Sequence, residues 1–163
     1  MGKKEDKTNV MRVLDSLKLP YAHREYEKDS KLTGADIARS LGEDPNAVFK
    51  TLVTVAKSKK HYVFMIPVEK ELDLKKAAKA VGEKNIEMIA QKELLPLTGY
   101  VHGGCSPIGM KKQFATTADE SALLFDEIMF SAGRVGSQVK MKVDDLQKAV
   151  PIAFAAVSYT HLT

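Results

Sequence analysis

The sequence predicts an α+β domain in which a curled, mixed and mostly antiparallel sheet, barrel-like in outline, is surrounded by helices. Short runs of β-branched and aromatic residues outnumber the amphipathic helical stretches. The two kinds of element are interleaved without the strict alternation that a parallel βαβ sheet requires. A chain of 163 residues, 44% of them hydrophobic, is long enough for one domain with a real core, spanning 1–163, and short for two.

Residues 1–7 are charged and read as frayed, after which Val10, Met11, Val13, Leu14 and Leu17 share one helical face that ends before Pro20. Residues 21–26 alternate as a short strand with Tyr26 near its end, and 27–31 form a charged turn. Thr33 caps a helix with Ile37, Ala38 and Leu41 as its stripe and Gly42 as its stop, and Asp44-Pro45 opens a single further turn. Residues 48–55 and 62–68 are strands of a central hairpin joined by the polar turn at 58–60. Asp73 caps a helix that buries Leu74, Ala77, Ala78 and Val81 and ends at Gly82. A strand at 86–89 follows, then a short helix at 91–95 stopped by Pro96. Strands at 114–117, 128–131 and 138–143 and a helix from Asp144 to Val150 complete the pattern. Residues 152–157 are strand-like, whereas 158–163 carry no periodicity and read as a frayed or non-native end.

Composition excludes several classes. The excess of Lys+Arg over Asp+Glu, 25 against 21, gives a net charge of +4, which favours an anionic partner without being a nucleic-acid signature. One cysteine rules out an intramolecular disulfide, and no hydrophobic run approaches the roughly 18 residues of a membrane span. The expectation is a soluble cytoplasmic protein with no membrane association. His23, His61, His102 and His161 do not cluster, so neither a metal nor another cofactor is expected.

Chemistry concentrates in the stretch Tyr100-Val-His-Gly-Gly-Cys-Ser-Pro-Ile-Gly-Met-Lys-Lys, residues 100–112. Glycine permits positive φ and close backbone approach, while Pro107 fixes its own φ and biases Ser106 toward an extended form. Such a loop can present a row of amides to an oxyanion or a carboxylate. It can equally be a plain glycine-rich connection between strands. Gly104 to Gly109 matches half of a phosphate-loop pattern, but Met110 replaces its lysine, which excludes a nucleoside-triphosphate site.

Period two places Lys50 on the same strand face as Val48 and Leu52. A cation there must reach solvent, pair with an acid, or meet an anionic ligand, and snorkelling accounts for most such lysines. Cys105 with His102 three residues earlier invites a thiol-nucleophile reading, although the spacing is not diagnostic and a single loop cysteine is more often inert. The second small-residue loop, Ser131-Ala-Gly-Arg-Val-Gly-Ser at 131–137, can face the first across a pocket or merely join two strands. No base accompanies its serines, so a Ser-His-Asp triad is unsupported, and no carboxylate pair stands out.

Four segments together resemble a known family: Phe-Lys-Thr-Leu-Val at 49–53, Leu-Asp-Leu-Lys-Lys-Ala-Ala-Lys-Ala-Val-Gly at 72–82, the glycine loop at 99–112, and Ser-Ala-Gly-Arg-Val-Gly at 131–136. They are similar to the YbaK family of aminoacyl-tRNA deacylases, related to the editing domain of bacterial prolyl-tRNA synthetases, and the similarity runs from about residue 10 to 154. The match is nearest the Cys-tRNA(Pro)/Cys-tRNA(Cys) deacylase branch. It implies a trans-editing enzyme, a carboxylic ester hydrolase or a lyase-type equivalent, that removes cysteine and other small amino acids from tRNA(Pro).

The resemblance assigns Lys50, Gly103 and Gly104 to catalysis. Tyr26, Thr33, Ser106, Pro107, Ser131 and Gln138 would bind substrate. Thr33 stands where close relatives carry phenylalanine and Gln138 where they carry aspartate, so the substrate range at those two edges is open. Expected partners are the 3′ aminoacyl-adenosine end of mischarged tRNA and, transiently, prolyl-tRNA synthetase. Basic turns at 57–60 and 111–112 are candidate phosphate contacts or ordinary solvated surface. Two other readings are a non-catalytic module binding an aminoacyl or nucleotide end on a synthetase, and a thiol hydrolase using Cys105.

Overall fold

The computed structural model describes residues 7–28 and 31–160. The charged start at 1–6, two residues of the 27–31 turn and the last three residues fall outside them.

Helix α1, Asn9–Ser16, begins where Thr8 accepts a hydrogen bond from the Met11 amide (3.2 Å) and buries Val10, Met11 and Leu14. It ends where Lys18 turns to positive φ and the Leu19 amide reaches back to the Leu14 carbonyl (3.0 Å). Strand β1, Ala22–Glu25, leads to helix α2, Gly34–Ser40. There Thr33 and Asp36 close a reciprocal capping box, one residue pair satisfying two amides that the first turn leaves open.

The central hairpin is β2, Phe49–Ala56, against β3, His61–Pro67, followed by β4, Lys70–Leu72. Helix α3, Leu74–Val81, is capped by Asp73 and stopped by Gly82 in the left-handed conformation. Strand β5, Ile86–Met88, precedes a single 3-10 turn and helix α4, Leu94–Thr98. Pro96, expected to stop a helix, instead lies inside α4. It is the third residue of that helix, where the missing N–H has no intrahelical acceptor to lose.

The remainder is β6, Ala115–Asp119, β7, Glu127–Arg134, β8, Ser137–Lys142, α5, Val143–Ala149, β9, Ile152–Ala155, and β10, Ser158–Thr160. The end expected to fray therefore holds a strand as far as Thr160, paired with β4.

Five strands form a mixed sheet in the order β5-β2-β3-β6-β9, three form an antiparallel sheet β1-β8-β7, and β10-β4 is a separate pair. Only β3–β6 and β6–β9 are parallel among the strand pairs. The two larger sheets touch through one parallel bridge, Val48 to Met129, so they curl toward each other without closing into a barrel.

The main core fills the space between them. Phe49, Val53, Val63 and Met65 face Ile128, Phe130, Val139 and Met141, with Leu14 of α1 and Leu146 of α5 closing the ends. The opposite, outer face is covered in two patches. Ala77 and Ala78 of α3 pack on Ala56, Phe64 and Ile66, and Ala38 of α2 packs on Val48 and Met129.

Candidate active site

Between those two patches lies Lys50. Its alternation with Val48 and Leu52 places it on the outer face, directly opposite Ile66, where it is half-buried. No ion pair or hydrogen bond engages its ammonium group among the described residues.

The bridge between Val48 and Met129 sets what stands beside it. Two residues on along β7 is Ser131, directly opposite Gln138 on β8, which in turn is opposite Arg24 on β1. Residues directly opposed across a ladder project to one face. Lys50, Ser131, Gln138 and Arg24 therefore share the outer face, and Tyr26 follows Arg24 by period two, its amide donating to the Gly136 carbonyl (3.0 Å).

Two of these residues have an unusual hydrogen-bond status. Gln138 is only 8% exposed, and its Oε1 has no donor among the described residues. A buried amide oxygen left unpaired costs about 1–3 kcal/mol. Ser131 is buried and its Oγ accepts from the Gly133 amide (3.0 Å), which holds the bulge that separates Ser131 from Arg134. On the far side of Gln138, Glu43 accepts from Arg24 Nη1 and from Lys140 Nζ, both at 3.0 Å. This cluster has no local signature in sequence, its members being 19 and 97 residues apart.

The glycine loop reaches this face only at its rim. Its apolar residues Tyr100, Cys105, Ile108 and Met110 are part of the inner core, and the Tyr100 hydroxyl donates to the Ile108 carbonyl. Gly104 abuts the β7–β8 turn so closely that a Cβ would lie 3.0 Å from Arg134 Cα and 3.1 Å from the Val135 nitrogen. A side chain there would have to push that backbone aside by a few tenths of an ångström. Gly103, with φ +84°, adopts a conformation that favours glycine for a different reason. From Ser131 to Arg134 is roughly 10 Å of strand, so loop and outer face are neighbours along β7.

The loop amides divide into two groups. Gly104 donates to the Val101 carbonyl (2.9 Å), Ile108 to Ser106 Oγ (3.4 Å) and Lys111 to the Thr98 carbonyl (3.0 Å). Those of Gly103, Cys105 and Ser106 have no acceptor among the described residues. The Gly104 N–H closes the turn and is not free to donate to an oxyanion, whereas Gly103 beside it is exposed with its amide unpaired among the described residues.

Three further expectations change. Ser106 and Pro107 are buried, Ser106 completely, so neither reaches a ligand at the surface. Thr33 is exposed and its hydroxyl is engaged by the Asp36 amide, so its first duty is the α2 cap. Cys105 is 7% exposed, and burial pushes its thiol up to about 12. His102 is exposed and forms no bond with it. Burial and a thiol held protonated at neutral pH argue against Cys105 as a nucleophile.

Two open clefts, of about 460 and 480 Å³, lie elsewhere, the first lined by the β2–β3 turn and residues 112–115 and the second by Asp119, Leu123, Leu124 and their neighbours. Neither contains Lys50 or Gly103. Among the described residues no group of His, Cys, Asp or Glu could hold a metal ion, and no helix is long and apolar enough to cross a membrane.

Residues 29–149 match the family model described as an aminoacyl-tRNA editing domain. The chain is 42% identical, over 96% of both chains, to the Enterococcus faecalis protein named "Putative Cys-tRNA(Pro)/Cys-tRNA(Cys) deacylase EbsC". In fold it is similar to the crystal structure of a hypothetical protein (TM-score 0.84, 22% identity, 93% of this chain and 100% of that one). It is likewise similar to the crystal structure of "a putative trans-editing enzyme for prolyl tRNA synthetase" (TM-score 0.78, 24% identity, 92% and 96%).

Proposed function

Since the chain belongs to the aminoacyl-tRNA editing domain family, we propose that it is a trans-editing deacylase that frees tRNA(Pro) from wrongly attached cysteine. The observation that carries the reading is the unpaired, half-buried Lys50 on one face with the orphaned Gln138 Oε1, both waiting for a polar ligand. Sequence identity to a relative named for this activity supports the substrate class.

An aminoacyl ester is already activated, so orientation and charge stabilisation supply most of what is needed. Lys50 contacts the terminal ribose or the ester oxygen. Gln138 Oε1 accepts from the substrate's ammonium group, and the Gly103 amide receives the carbonyl oxygen as it gains charge. The nucleophile is the substrate's own thiol. Its sulfur bonds to the ester carbon, the bond to the ribose oxygen breaks, the thiol proton passes to that oxygen, and a thiolactone leaves. No general base from the protein is required. Because one small domain reads little of a tRNA, the choice of tRNA is supplied by a transient complex with prolyl-tRNA synthetase.

Purified protein incubated with Cys-, Ala- and Ser-tRNA(Pro) tests this. Cysteine is released fastest, because a hydroxyl is the poorer nucleophile and alanine has none. Equal rates for cysteine and serine replace the thiol by water, and binding without any release leaves only the non-catalytic module.

A further inference from the structure

The cleft of about 460 Å³ joins two lysine-bearing segments that are 50 residues apart in sequence, Lys59 and Lys60 of the β2–β3 turn and Lys112 at the end of the glycine loop. His61 and Gln113 line it too, and no acidic residue does. Among the described residues none of the three lysines forms an ion pair, whereas Arg24, Arg39, Lys140 and Lys148 elsewhere all do. The carboxylate beside the turn, Glu83, accepts at Oε2 from the Tyr62 hydroxyl (2.6 Å) and Ser58 Oγ (2.9 Å) and also feels the charge of Lys60, which together hold its pKa below the usual carboxylate range. Phe114 links the two segments: Lys112 Nζ lies 5.9 Å from its ring centre, and the His61 ring packs against it at 5.4 Å, tilted by 48°. Three lysines gathered around one cleft, with Glu83 beside Lys60 as the one carboxylate acting on them among the described residues, describe a site for a polyanion.

Position narrows the ligand. Lys60 stands opposite Ala56 (its carbonyl accepts from the Ala56 amide at 2.8 Å), six residues along β2 from Lys50. At about 3.3 Å per residue that is roughly 20 Å, or about six stacked nucleotides at ~3.4 Å each. One continuous loop, Gly103 to Lys112, runs from the rim of the candidate active site to the cleft.

We propose that Lys59, Lys60 and Lys112 form a phosphodiester subsite that holds the backbone of the substrate RNA several nucleotides from its aminoacylated end. This rests on the deacylase reading for the position of the ester, but not for the binding of RNA. The subsite gives affinity without sequence, and so complements a partner that chooses the tRNA.

The test uses the full chain with Lys60→Gln and Lys112→Gln together, and Lys75→Gln with Lys79→Gln on α3 as a charge-matched control. Anisotropy with uncharged tRNA over a salt series is expected to give about ten-fold weaker binding for the cleft pair and a log–log salt slope smaller by about 2, with the control near wild type. In deacylation, the cleft pair raises KM for Cys-tRNA with kcat unchanged, and leaves a cysteinyl trinucleotide ester, too short to reach the cleft, unaffected. Unchanged binding and slope, an equal loss in the control, or an equal effect on the short ester overturns the subsite. ATP competing with tRNA at micromolar concentration and constant ionic strength overturns RNA in favour of a mononucleotide. Failure of the wild type to release any amino acid sinks the deacylase reading alone, because the binding series still decides the subsite.

Discussion

On the inner face of the curled sheets, Cys105 sits in one cluster with Phe49, Val53 and Tyr100, and burial holds its thiol protonated. On the outer face, Lys50 is half-buried yet unpaired, and Gln138 keeps an amide oxygen without a donor. The inner face keeps its one thiol neutral and, among the described residues, leaves the Thr51 hydroxyl as its unpaired polar side-chain atom. The outer face tolerates groups that cost stability, as a ligand site does. By residue type alone Cys105 is the more reactive of the two. Placement reverses the ranking.

The contrast breaks most readily at the core. Phe130→Ala, at a fully buried site, is expected to cost about 3–5 kcal/mol of unfolding free energy by denaturant titration. A cost under about 1 kcal/mol means the inner face is not the packed side. Next, Lys50→Ala is expected to lower deacylation kcat/KM by about 10²–10³ with little change in stability, since its head group makes no intramolecular bond. The reverse pattern would make Lys50 a structural residue.

A smaller and more discriminating change is Gln138→Met, which removes the unpaired oxygen at similar volume. Stability rises by about 1 kcal/mol, or about 3 °C in Tm, while deacylation falls about ten-fold. A loss of stability would reveal a donor for that oxygen within the fold. The smallest effect is that of Cys105→Ala, which leaves deacylation unchanged. In the wild type the thiol titrates near 9.0 unfolded and about 12 folded. Its contribution to stability is therefore present below pH 9 and is lost as pH rises toward 12, at about 1.4 kcal/mol per pH unit. The variant's stability falls less steeply over that range, and an identical slope would show the thiol to be exposed.

Much of the fold was legible because its signals are local. The capping box of Thr33 and Asp36, the Asp73 cap and the stop at Gly82 each lie within a few residues, and the central hairpin differs from its expected bounds by one residue at each end. Pro96 misled because whether proline stops a helix depends on its place in the first turn, which the sequence does not state. The site was legible in its members and less so in their duties. Alternation put Lys50 on the correct face, but Ser131 and Gln138 join it through the Val48–Met129 bridge, a contact between strands 81 positions apart that no periodicity announces. Whether a loop amide is free depends on the turn it closes, so Gly104 passed for a donor although Val101 already holds its N–H. The Arg24–Glu43–Lys140 cluster is wholly tertiary and left no trace in the order of residues.

The most direct test is an amide NMR titration with cysteinyl-adenosine carrying a 3′-amide in place of the ester, which binds but cannot be cleaved. Shifts centred on Lys50, Ser131, Gln138 and the amide of Gly103 are the predicted result. Shifts confined to the cleft by Leu123 and Leu124, with the outer face of β2 silent, would contradict it.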